Sequence, residues 1–254
     1  MYNPFMESMY IIRKNMGETP LEALERTRIE HEIPVDVPMT YAGRLDPLVE
    51  GLLIILTGDE CKEKDKYNKF TKTYEFEILT GASTDSYDLL GLVTNISFGG
   101  NIEIGDIKKY LEDHKKTFIQ NYPPYSSKTF EGKQLHAHAR EGNTPTVEHE
   151  VALFDYEFLG EREILNEDLL KTIEERIGLV HGDFRQEEII EKWKETLGGA
   201  KALPSHRITS WRVHVSGGFY IRQLVHDIGE HFSVPTVTFH IKRTKIGEFD
   251  KTTV

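Results

Sequence analysis

Apolar residues recur along this chain with two different spacings. One spacing is typical of helices and the other is typical of strands. In an acid-rich stretch, apolar residues recur every three to four positions, which is the spacing of one helix face. We expect a first helix that starts near Asn166 and a second that stops at Gly198. Their apolar stripes are Leu169, Ile173 and Ile177, then Ile189, Trp193 and Leu197. Both stripes are expected to dock on a core rather than to bind a cofactor.

Three further helices follow from capping signals and from the same spacing. Thr19 and Glu22 form a capping-box pattern with a proline between them, which predicts a helix that runs to about Glu30. The residues from Asp106 to Phe118 predict a short helix. Another begins near Tyr220, and its inner side carries Ile221, Leu224, Val225 and Ile228.

Strands are predicted where apolar residues are continuous or alternate with polar ones. Residues 52–57, most of them apolar, are typical of a buried strand, and residues 73–79, 92–96 and 211–215 predict three more. Because short strands are interrupted by helices, we expect an α+β protein built on a mixed or antiparallel sheet.

The composition is that of a globular protein. The 254 residues are 38% hydrophobic and 29% charged, which excludes a disordered tail or a membrane protein. The longest apolar run, Leu52–Leu56, is too short to cross a bilayer, and the N-terminus lacks the basic start and apolar core of a signal peptide. We therefore expect a cytoplasmic protein that does not bind a membrane.

Cysteine and histidine usage predicts neither a disulfide nor a metal site. Cys61 is the only cysteine, so it cannot form an internal disulfide or build a structural zinc site alone. The closest histidine pairs, His136/His138 and His226/His231, lack the cysteine and carboxylate neighbours of a zinc site. The chain also has no glycine-rich phosphate loop. We expect no metal and no cofactor.

The net charge of -11 argues at first against a polyanionic partner such as nucleic acid. The charge is uneven, however, because residues 141–200 carry -10, residues 1–140 carry -5 and residues 201–254 carry +4. A lysine run between residues 62 and 72 is either a basic face or merely solvated surface. A basic binding face can therefore coexist with a negative total.

One short segment, Gly43–Leu48, places an aspartate where catalysis could use it. Asp46 lies in a loop stiffened by glycine and proline, just before the apolar strand. A carboxylate on a rigid loop suits a nucleophile or a base. The alternative is a turn aspartate that bonds its own backbone. The hexapeptide alone leaves both interpretations open.

Five other polar segments carry candidate chemistry. Their residue ranges are 72–75, 81–91, 123–142, 216–224 and 242–247. In the first, Tyr74 is either a base-stacking residue or a core residue. In the fourth, glycines precede a helix N-terminus, which favours an anion, and Arg222 can hold a carboxylate with two hydrogen bonds.

These six segments, in this order, resemble the TruB family of tRNA pseudouridine synthases. The likeness extends over almost the whole chain, from about Tyr10 to Phe249. The family's Gly-x-Leu-Asp-Pro-Leu, Lys-x-Tyr and acidic-loop elements are similar to Gly43–Leu48, Lys72–Tyr74 and Gly81–Gly91. Its later elements are similar to Pro123–Lys128, Ala139–Gly142, Tyr220–Gly229 and Lys242–Gly247. Each motif alone is weakly specific, but six in sequence are strong evidence.

The resemblance implies a fold and a reaction. The fold is a mixed, mostly antiparallel sheet with flanking helices and a central cleft that binds RNA. The reaction cuts uracil from its ribose, rotates it and rejoins it through C5 without a cofactor. The usual target is uridine 55 in the T-arm of tRNA, which must flip out of its loop to reach the site. We expect a monomer with one catalytic domain, residues 1–254.

The resemblance also implies roles for individual residues. Asp46 would be the catalytic carboxylate and Arg222 its partner, which would keep it ionised. The residues expected to contact the flipped nucleotides or line their pocket are Tyr41, Tyr74, Asp88, Tyr220 and Ile241. The residues expected to contact RNA phosphates are Lys62, Lys69, Lys72, Arg140, Lys242 and Arg243.

Several departures from the family pattern keep the substrate open. Tyr41 stands where the family usually has histidine, and Arg44 resembles the related RluA and RsuA synthases, which act largely on ribosomal RNA. The alternatives are therefore the same reaction on ribosomal or another RNA, or an RNA-binding or folding module with secondary catalysis. Residues 160–205 resemble an acidic helical insertion, whose removal we expect not to weaken RNA binding. We expect no C-terminal PUA domain.

Overall fold

The fold is known from a computed structural model that describes residues 7–97, 100–199, 204–250 and 252–253. The first six residues, on which the expectation about a signal peptide partly rests, lie outside these ranges. Among the described residues, no helix is long and apolar enough to cross a membrane.

The described residues form thirteen strands. They are β1 (Met9–Lys14), β2 (Met39–Ala42), β3 (Glu50–Thr57), β4 (Lys72–Thr80), β5 (Ala82–Thr84), β6 (Val93–Ile96), β7 (Lys116–Asn121), β8 (Thr129–Phe130), β9 (Lys133–Gln134), β10 (Glu148–Leu165), β11 (Ser205–Val215), β12 (Thr236–Ile246) and β13 (Phe249–Asp250).

Seven α-helices flank these strands within the same described ranges. They are α1 (Pro20–Glu30), α2 (Lys64–Asn68), α3 (Ile104–Asp113), α4 (Leu135–Arg140), α5 (Asn166–Gly178), α6 (Gln186–Leu197) and α7 (Ile221–Phe232). The capping box predicted for α1 is present, since the Thr19 hydroxyl accepts from the Glu22 amide and the Glu22 carboxylate accepts from the Thr19 amide.

One sheet of nine strands organises the molecule. Its main path runs β1-β3-β12-β4-β11-β10-β7, with β2 also paired to β3 and β13 to β12. Every pair is antiparallel except β3 with β12, which run parallel where Glu50 and Gly51 face Lys242 and Arg243. The predicted α+β fold with a mixed, mostly antiparallel sheet is therefore confirmed.

The parallel pair depends on Gly51. A Cβ at this position would lie 2.2 Å from the Arg243 carbonyl oxygen and 2.7 Å from the Arg243 nitrogen, closer than any side chain tolerates. The glycine also has φ +114, a left-handed conformation that L-residues rarely adopt. The close approach of β3 and β12 fixes Arg243 beside the loop that carries Asp46.

Two hydrophobic clusters lie on the central strands. The larger packs α3 and α7 against β4, β10 and β11 around Trp211, which is fully buried. The second packs α5 and α6 against the strand ends that carry Leu79 and Ile208, and Trp193 is fully buried there. Both predicted apolar stripes are therefore core contacts of the main sheet.

The opposite face of the central strands carries ion pairs. Side chains alternate along β4, so Glu75 and Glu77 point away from the cluster that holds Tyr74 and Phe76. Arg212 pairs with Glu75 at 2.8 Å, and Arg162 pairs with Glu77. The arginines on this face are thus largely neutralised by neighbouring strands.

Two predictions of local structure were wrong or incomplete. The helix predicted to reach Phe118 ends at Asp113, because Lys116 adopts φ +85 and the chain turns into β7, where the Phe118 ring packs edge-on against Phe219. The 18-residue strand β10 was not predicted, because a register shift between Leu153 and Asp155 interrupts its apolar alternation, which runs through Val151 and Leu153 and resumes at Tyr156 and Phe158.

We predict that Gly51→Ala lowers the free energy of unfolding by about 2–4 kcal/mol, because the new methyl group meets the β12 backbone. Gly58→Ala is the matched control. It has φ +60, but nothing lies within 4 Å of its Cβ position, so it should cost only about 1 kcal/mol. Urea denaturation measures both, and equal losses would contradict the packing argument.

Candidate active site

The loop between β2 and β3 holds Asp46 in a fixed position. It is closed from within, since the Val49 amide donates to the Asp46 carbonyl at 3.0 Å. The Lys14 ammonium, at the end of β1, donates to the carbonyls of Pro47 and Val49 at 3.1 and 2.6 Å. Lys14 is buried, and this burial lowers its pKa to about 8. The rigid loop expected from the sequence is thus anchored to a neighbouring strand.

Arg222, in the first turn of α7, connects Asp46 to two other loops. Its Nε donates to Asp46 Oδ2 at 2.9 Å. Its Nη1 donates to the Ser86 carbonyl at 2.6 Å, and its Nη2 donates to the Tyr125 carbonyl at 2.9 Å. The Arg222 side chain is 2% exposed, whereas that of Asp46 is 28% exposed. The cation is therefore enclosed by protein, and the carboxylate remains accessible.

Asp88 lies on the inner side of Arg222. Its Oδ1 accepts from the Ser86 hydroxyl at 2.7 Å and from the Leu90 amide at 3.0 Å, and its Oδ2 is 3.6 Å from Arg222 Nε. Burial raises the pKa of Asp88, and the Asp46 carboxylate acts in the same direction, while Arg222 opposes both. Two carboxyl groups thus share one buried guanidinium.

A cavity of about 470 Å³ opens above Asp46. Four of the five residues predicted to contact the flipped nucleotides or line their pocket lie along its wall, namely Tyr41, Tyr74, Tyr220 and Ile241. Asp88 is the exception, because it lies behind Arg222 and faces a second cavity. The aromatic and aliphatic walls suit a planar, partly apolar group such as a nucleobase.

The charge of this cavity is opposite to the charge of the chain. Six basic side chains are among the described residues that line it, namely Arg44, Lys64, Lys72, Lys128, Arg222 and Arg243. Asp46 is the one acidic side chain in the same set. A cavity with this balance attracts a polyanion and holds a single carboxylate among basic side chains.

The Tyr74 side chain lies beside one buried cation, Arg243. Arg243, 1% exposed, donates from Nε to the Leu52 carbonyl at 2.7 Å and from Nη2 to the Gly43 carbonyl at 2.7 Å, and its Nη1 lies 3.4 Å from the Tyr74 hydroxyl. Lys72 is also buried, and burial together with Arg243 lowers its pKa to about 7. Both residues are therefore wall components of the cavity.

Tyr220 is positioned by a buried amide. Gln120, on β7, accepts from the Tyr220 amide at 2.9 Å and donates to the Tyr220 carbonyl at 3.0 Å. The Tyr220 ring packs edge-on against Tyr122 at 5.5 Å. Burial raises the pKa of the Tyr220 hydroxyl, so it stays a hydrogen-bond donor at neutral pH.

Comparison with known proteins identifies the group to which this site belongs. The sequence model described as TruB family pseudouridylate synthase (N terminal domain) matches residues 37–164, half of the chain, including Asp46, Tyr74 and Asp88. The chain belongs to the TruB family. The predicted resemblance and the expected enzyme class, a pseudouridine synthase that acts on RNA, are thereby confirmed.

Curated TruB-family relatives match nearly the full length of this chain. The tRNA pseudouridine synthase B of Aquifex aeolicus is 23% identical over 96% of this chain and 69% of its own length. That of Endomicrobium trichonymphae is 26% identical over 96% and 87%. The tRNA pseudouridine synthase 4 of Schizosaccharomyces pombe is 26% identical over 91% and 69%.

Solved structures share the fold. A crystal structure of a Cbf5-Nop10-Gar1 complex contains a chain that superposes with a TM-score of 0.56 at 16% identity. A structure of an H/ACA RNP bound to a substrate RNA that contains 2′-deoxyuridine gives 0.54 at 15%. Each match covers 96% of this chain but only about half of the solved chain. At these identities the likeness establishes the TruB-type fold alone.

The six predicted phosphate contacts of this TruB-family chain fall into three groups. Lys72 and Arg243 are buried in the cavity wall. Lys62 and Lys69 are exposed beside α2, and Arg140 lines the second cavity, where it pairs with Asp183. Lys242 alternates with Ile241 and Arg243, so it points to the opposite face of the sheet, where it lies 3.4 Å from Glu50. The structure does not bring Lys242 to the cavity.

The predicted site residues leave out several cavity residues of the described part of the chain, among them Asn68 and Ser126, whereas Lys64 belongs to the predicted lysine run. Lys64 and Asn68 lie one turn apart on α2, and the Lys64 ammonium is 5.1 Å from the centre of the Tyr41 ring. The i, i+4 spacing within the lysine run could have indicated this shared face. Ser126 is buried and lines both cavities, and it lies in Pro123–Lys128, one of the segments similar to a family element.

The helix that carries Arg222 also contains a half-buried acid. Asp227 accepts from Gln223 Nε2 at 2.7 Å, and burial raises its pKa to about 6. Because the folded state keeps its proton to a higher pH than the unfolded state, stability should fall as the pH rises from about 4 to about 6.

We predict that Asp227→Asn removes this dependence, so that the variant gains about 1–2 kcal/mol relative to the wild type between pH 4 and pH 6.5. Urea denaturation across this range measures the difference. Asp155→Asn, at a side chain that is 75% exposed, is the control and should show no such gain. A constant difference between Asp227→Asn and wild type would contradict the assignment.

Proposed function

We propose that this protein isomerises uridine to pseudouridine in tRNA, with uridine 55 of the T-arm as its target. The observation that carries the proposal is the single carboxylate of Asp46 in a cavity otherwise lined by six basic side chains and three tyrosines. The names of its curated relatives support tRNA as the substrate class.

Asp46 is the catalytic residue in this proposal. Its Oδ2 is held by Arg222, whereas its Oδ1 makes no hydrogen bond to any described residue, so one oxygen is available to the substrate. The carboxylate could attack C1′, attack the base or remove a proton from the sugar. Each of these three mechanisms requires an ionised carboxylate with a free oxygen. Arg222 holds the other oxygen in place and lies beside the negative charge of the carboxylate.

The reaction needs no external reactant. The N1–C1′ bond breaks, the uracil turns within the cavity and C5 bonds to C1′. The proton on C5 is then lost and N1 gains a proton, so substrate and product are isomers. Tyr74, Tyr220 and Ile241 are the residues placed to hold the base while it turns.

The cations of the cavity are compatible with RNA binding, although the net charge of the chain is -11. RNA phosphates would meet Arg44, Lys64 and Lys128 at the cavity, while most of the excess acid lies in residues 141–200. Folded RNA arms are read through phosphates, shape and unstacked bases, which these side chains can contact.

The proposal includes a cytoplasmic enzyme that acts as a monomer. The chain is taken as one catalytic domain, residues 1–254, with an acidic helical insertion at residues 160–205. Ribosomal RNA remains the alternative substrate, and pseudouridine mapping of an unmodified RNA pool separates the two, since a product outside the T-arm would overturn the tRNA assignment.

We predict that Asp46→Asn lowers pseudouridine formation by more than about 10³-fold, the scale expected when a group that acts on the reacting atoms is removed. RNA affinity should change less than about threefold, because no phosphate contact is lost. Tritium release from a C5-labelled T-arm RNA and fluorescence anisotropy measure the two quantities.

The matched control for this test is Asp36→Asn, an exposed aspartate outside the cavity, which should retain full activity. Wild-type turnover by Asp46→Asn would sink the catalytic assignment.

We predict that Lys64→Ala weakens RNA binding about three- to tenfold at low salt and lowers the slope of log Kd against log salt by about one. Lys242→Ala removes the same charge from the opposite face of the sheet and should change affinity less than twofold. Equal losses of RNA affinity in the two variants would show that a cation need not lie at the cavity to bind RNA.

A further inference from the structure

The turn between β11 and α7 forms part of the rim of the cavity above Asp46. Three residues of this turn line the cavity, namely Gly218, Phe219 and Tyr220. Tyr220 is also the N-cap of α7, so its backbone begins the helix that carries Arg222. A displacement of the turn would therefore move the Tyr220 ring relative to a bound base.

The two outermost strands on one side of the main sheet, β7 and β10, hold this turn at three alternate residues. At the first, the Ser216 amide donates to the Ala152 carbonyl and the Ser216 hydroxyl accepts from the Ala152 amide, both at 2.9 Å. At the third, Tyr220 is held by the buried amide from β7 described above. At the middle one, the Gly218 carbonyl oxygen lies 3.0 Å from His149 Nε2.

Gly218 is the point where the turn most needs such a contact. It has φ +88, in the left-handed region, and nothing lies within 4 Å of its Cβ position. Neighbouring side chains therefore do not hold the backbone there by packing, and glycine has more conformational freedom than any other residue. A hydrogen bond to the Gly218 carbonyl restricts this freedom.

The contact with Gly218 defines the tautomer of His149. A carbonyl oxygen only accepts a hydrogen bond, so Nε2 carries the proton when the imidazole is neutral. Burial lowers the pKa of His149, the carbonyls of Gly218 and Gln120 oppose this effect, and Lys128 lowers the pKa further. The neutral ring is therefore the form that holds the turn at physiological pH.

The His149 imidazole is itself held by an array of aromatic rings. It stacks on Tyr122, the residue after β7, with ring centres 3.8 Å apart and planes 5° apart. Tyr122 packs edge-on against Tyr220, and the Lys128 ammonium lies 5.2 Å from the centre of the Tyr122 ring. His149 also lies edge-on to Tyr220 at 6.0 Å. Tyr122 thus fixes the plane of the imidazole that donates to Gly218.

We propose that His149 is a positioning residue for Tyr220, which acts through its hydrogen bond to the Gly218 carbonyl. Tyr122 keeps the imidazole in the orientation that makes this bond. His149 is not among the described residues that line the cavity, so it acts on the turn rather than on the substrate. The inference rests on the proposed function, in which Tyr220 holds the base while it turns.

The test measures kcat and RNA affinity separately. His149→Phe keeps a ring that can stack on Tyr122 but cannot donate to the Gly218 carbonyl. It should lower kcat about three- to tenfold, the scale of one lost hydrogen bond, and change the Kd of a T-arm RNA less than about twofold. Full activity would overturn the proposal, as would a loss of RNA affinity with an unchanged kcat.

His149→Gln separates the hydrogen bond from the ring stack. Its amide nitrogen can donate to the same carbonyl, so kcat should stay within about twofold of the wild type. Equal losses in His149→Gln and His149→Phe would assign the effect to the ring and would overturn the hydrogen bond as the positioning contact. His214→Phe, at an exposed histidine of β11, is the control and should behave as wild type.

A double-variant cycle with Tyr220→Ala distinguishes positioning from a merely structural role. If His149 acts through the Tyr220 ring, His149→Phe should lower kcat less than about twofold once that ring is absent. A general loss of stability would instead lower kcat by the same factor in both backgrounds, and this outcome would overturn the proposal.

The two proposals fail separately. If the wild type forms no pseudouridine in any RNA, the proposed function fails. Nitrogen NMR of the imidazole still tests the contact, because it needs no substrate. His149 should be the Nε2–H tautomer and should titrate with a pKa below the ordinary histidine value. An Nδ1–H tautomer would overturn the inference about His149.

Discussion

The structure around the site depends on one buried guanidinium. Arg222 makes contacts with Asp46, with Asp88 and with two backbone carbonyls from loops far apart in sequence. A buried cation is tolerated only when neighbouring groups compensate its lost hydration, and here two carboxyl groups and two carbonyls do so. The same contacts that satisfy Arg222 therefore bring the β2–β3 loop, the acidic loop and the 123–128 segment to one point. The geometry of the candidate site and the local stability thus share one set of contacts.

Much of the fold could be predicted because the signals were local. The capping box of α1, the buried run of β3 and the stripes of α5 and α6 each follow from spacing within a few turns or strands. The strand β10 could not, because a register shift between Leu153 and Asp155 breaks its apolar alternation into two short pieces that share no common phase. The turn that ends α3 depends on a left-handed lysine, for which residue type gives no warning.

Some of the site residues could likewise be predicted from the sequence and others could not. Asp46, Arg222, Tyr74 and Tyr220 were found through motifs, and the structure brings them together around one cavity. Their roles in catalysis stay predictions. The sequence could not reveal which face of a strand each cation occupies. Lys242 and Arg243, which are adjacent in sequence, were therefore given the same role. In the structure Lys242 points outward and Arg243 is buried. The contact of the α5–α6 hairpin with the acidic loop could not be predicted either, because the paired residues Arg185 and Asp85 are 100 positions apart in the sequence.

The ion pairs on the outer face of the sheet have a consequence for how RNA approaches. Arg162 and Arg212 form ion pairs with glutamates of neighbouring strands, namely Glu75, Glu77 and Glu157. This face of the sheet therefore attracts a phosphate backbone only weakly. A protein with unpaired cations on both faces would hold RNA in many unproductive orientations, each of which must dissociate before catalysis. Pairing these arginines therefore favours encounters at the cavity, where Arg44, Lys64 and Lys128 remain to attract a phosphate backbone.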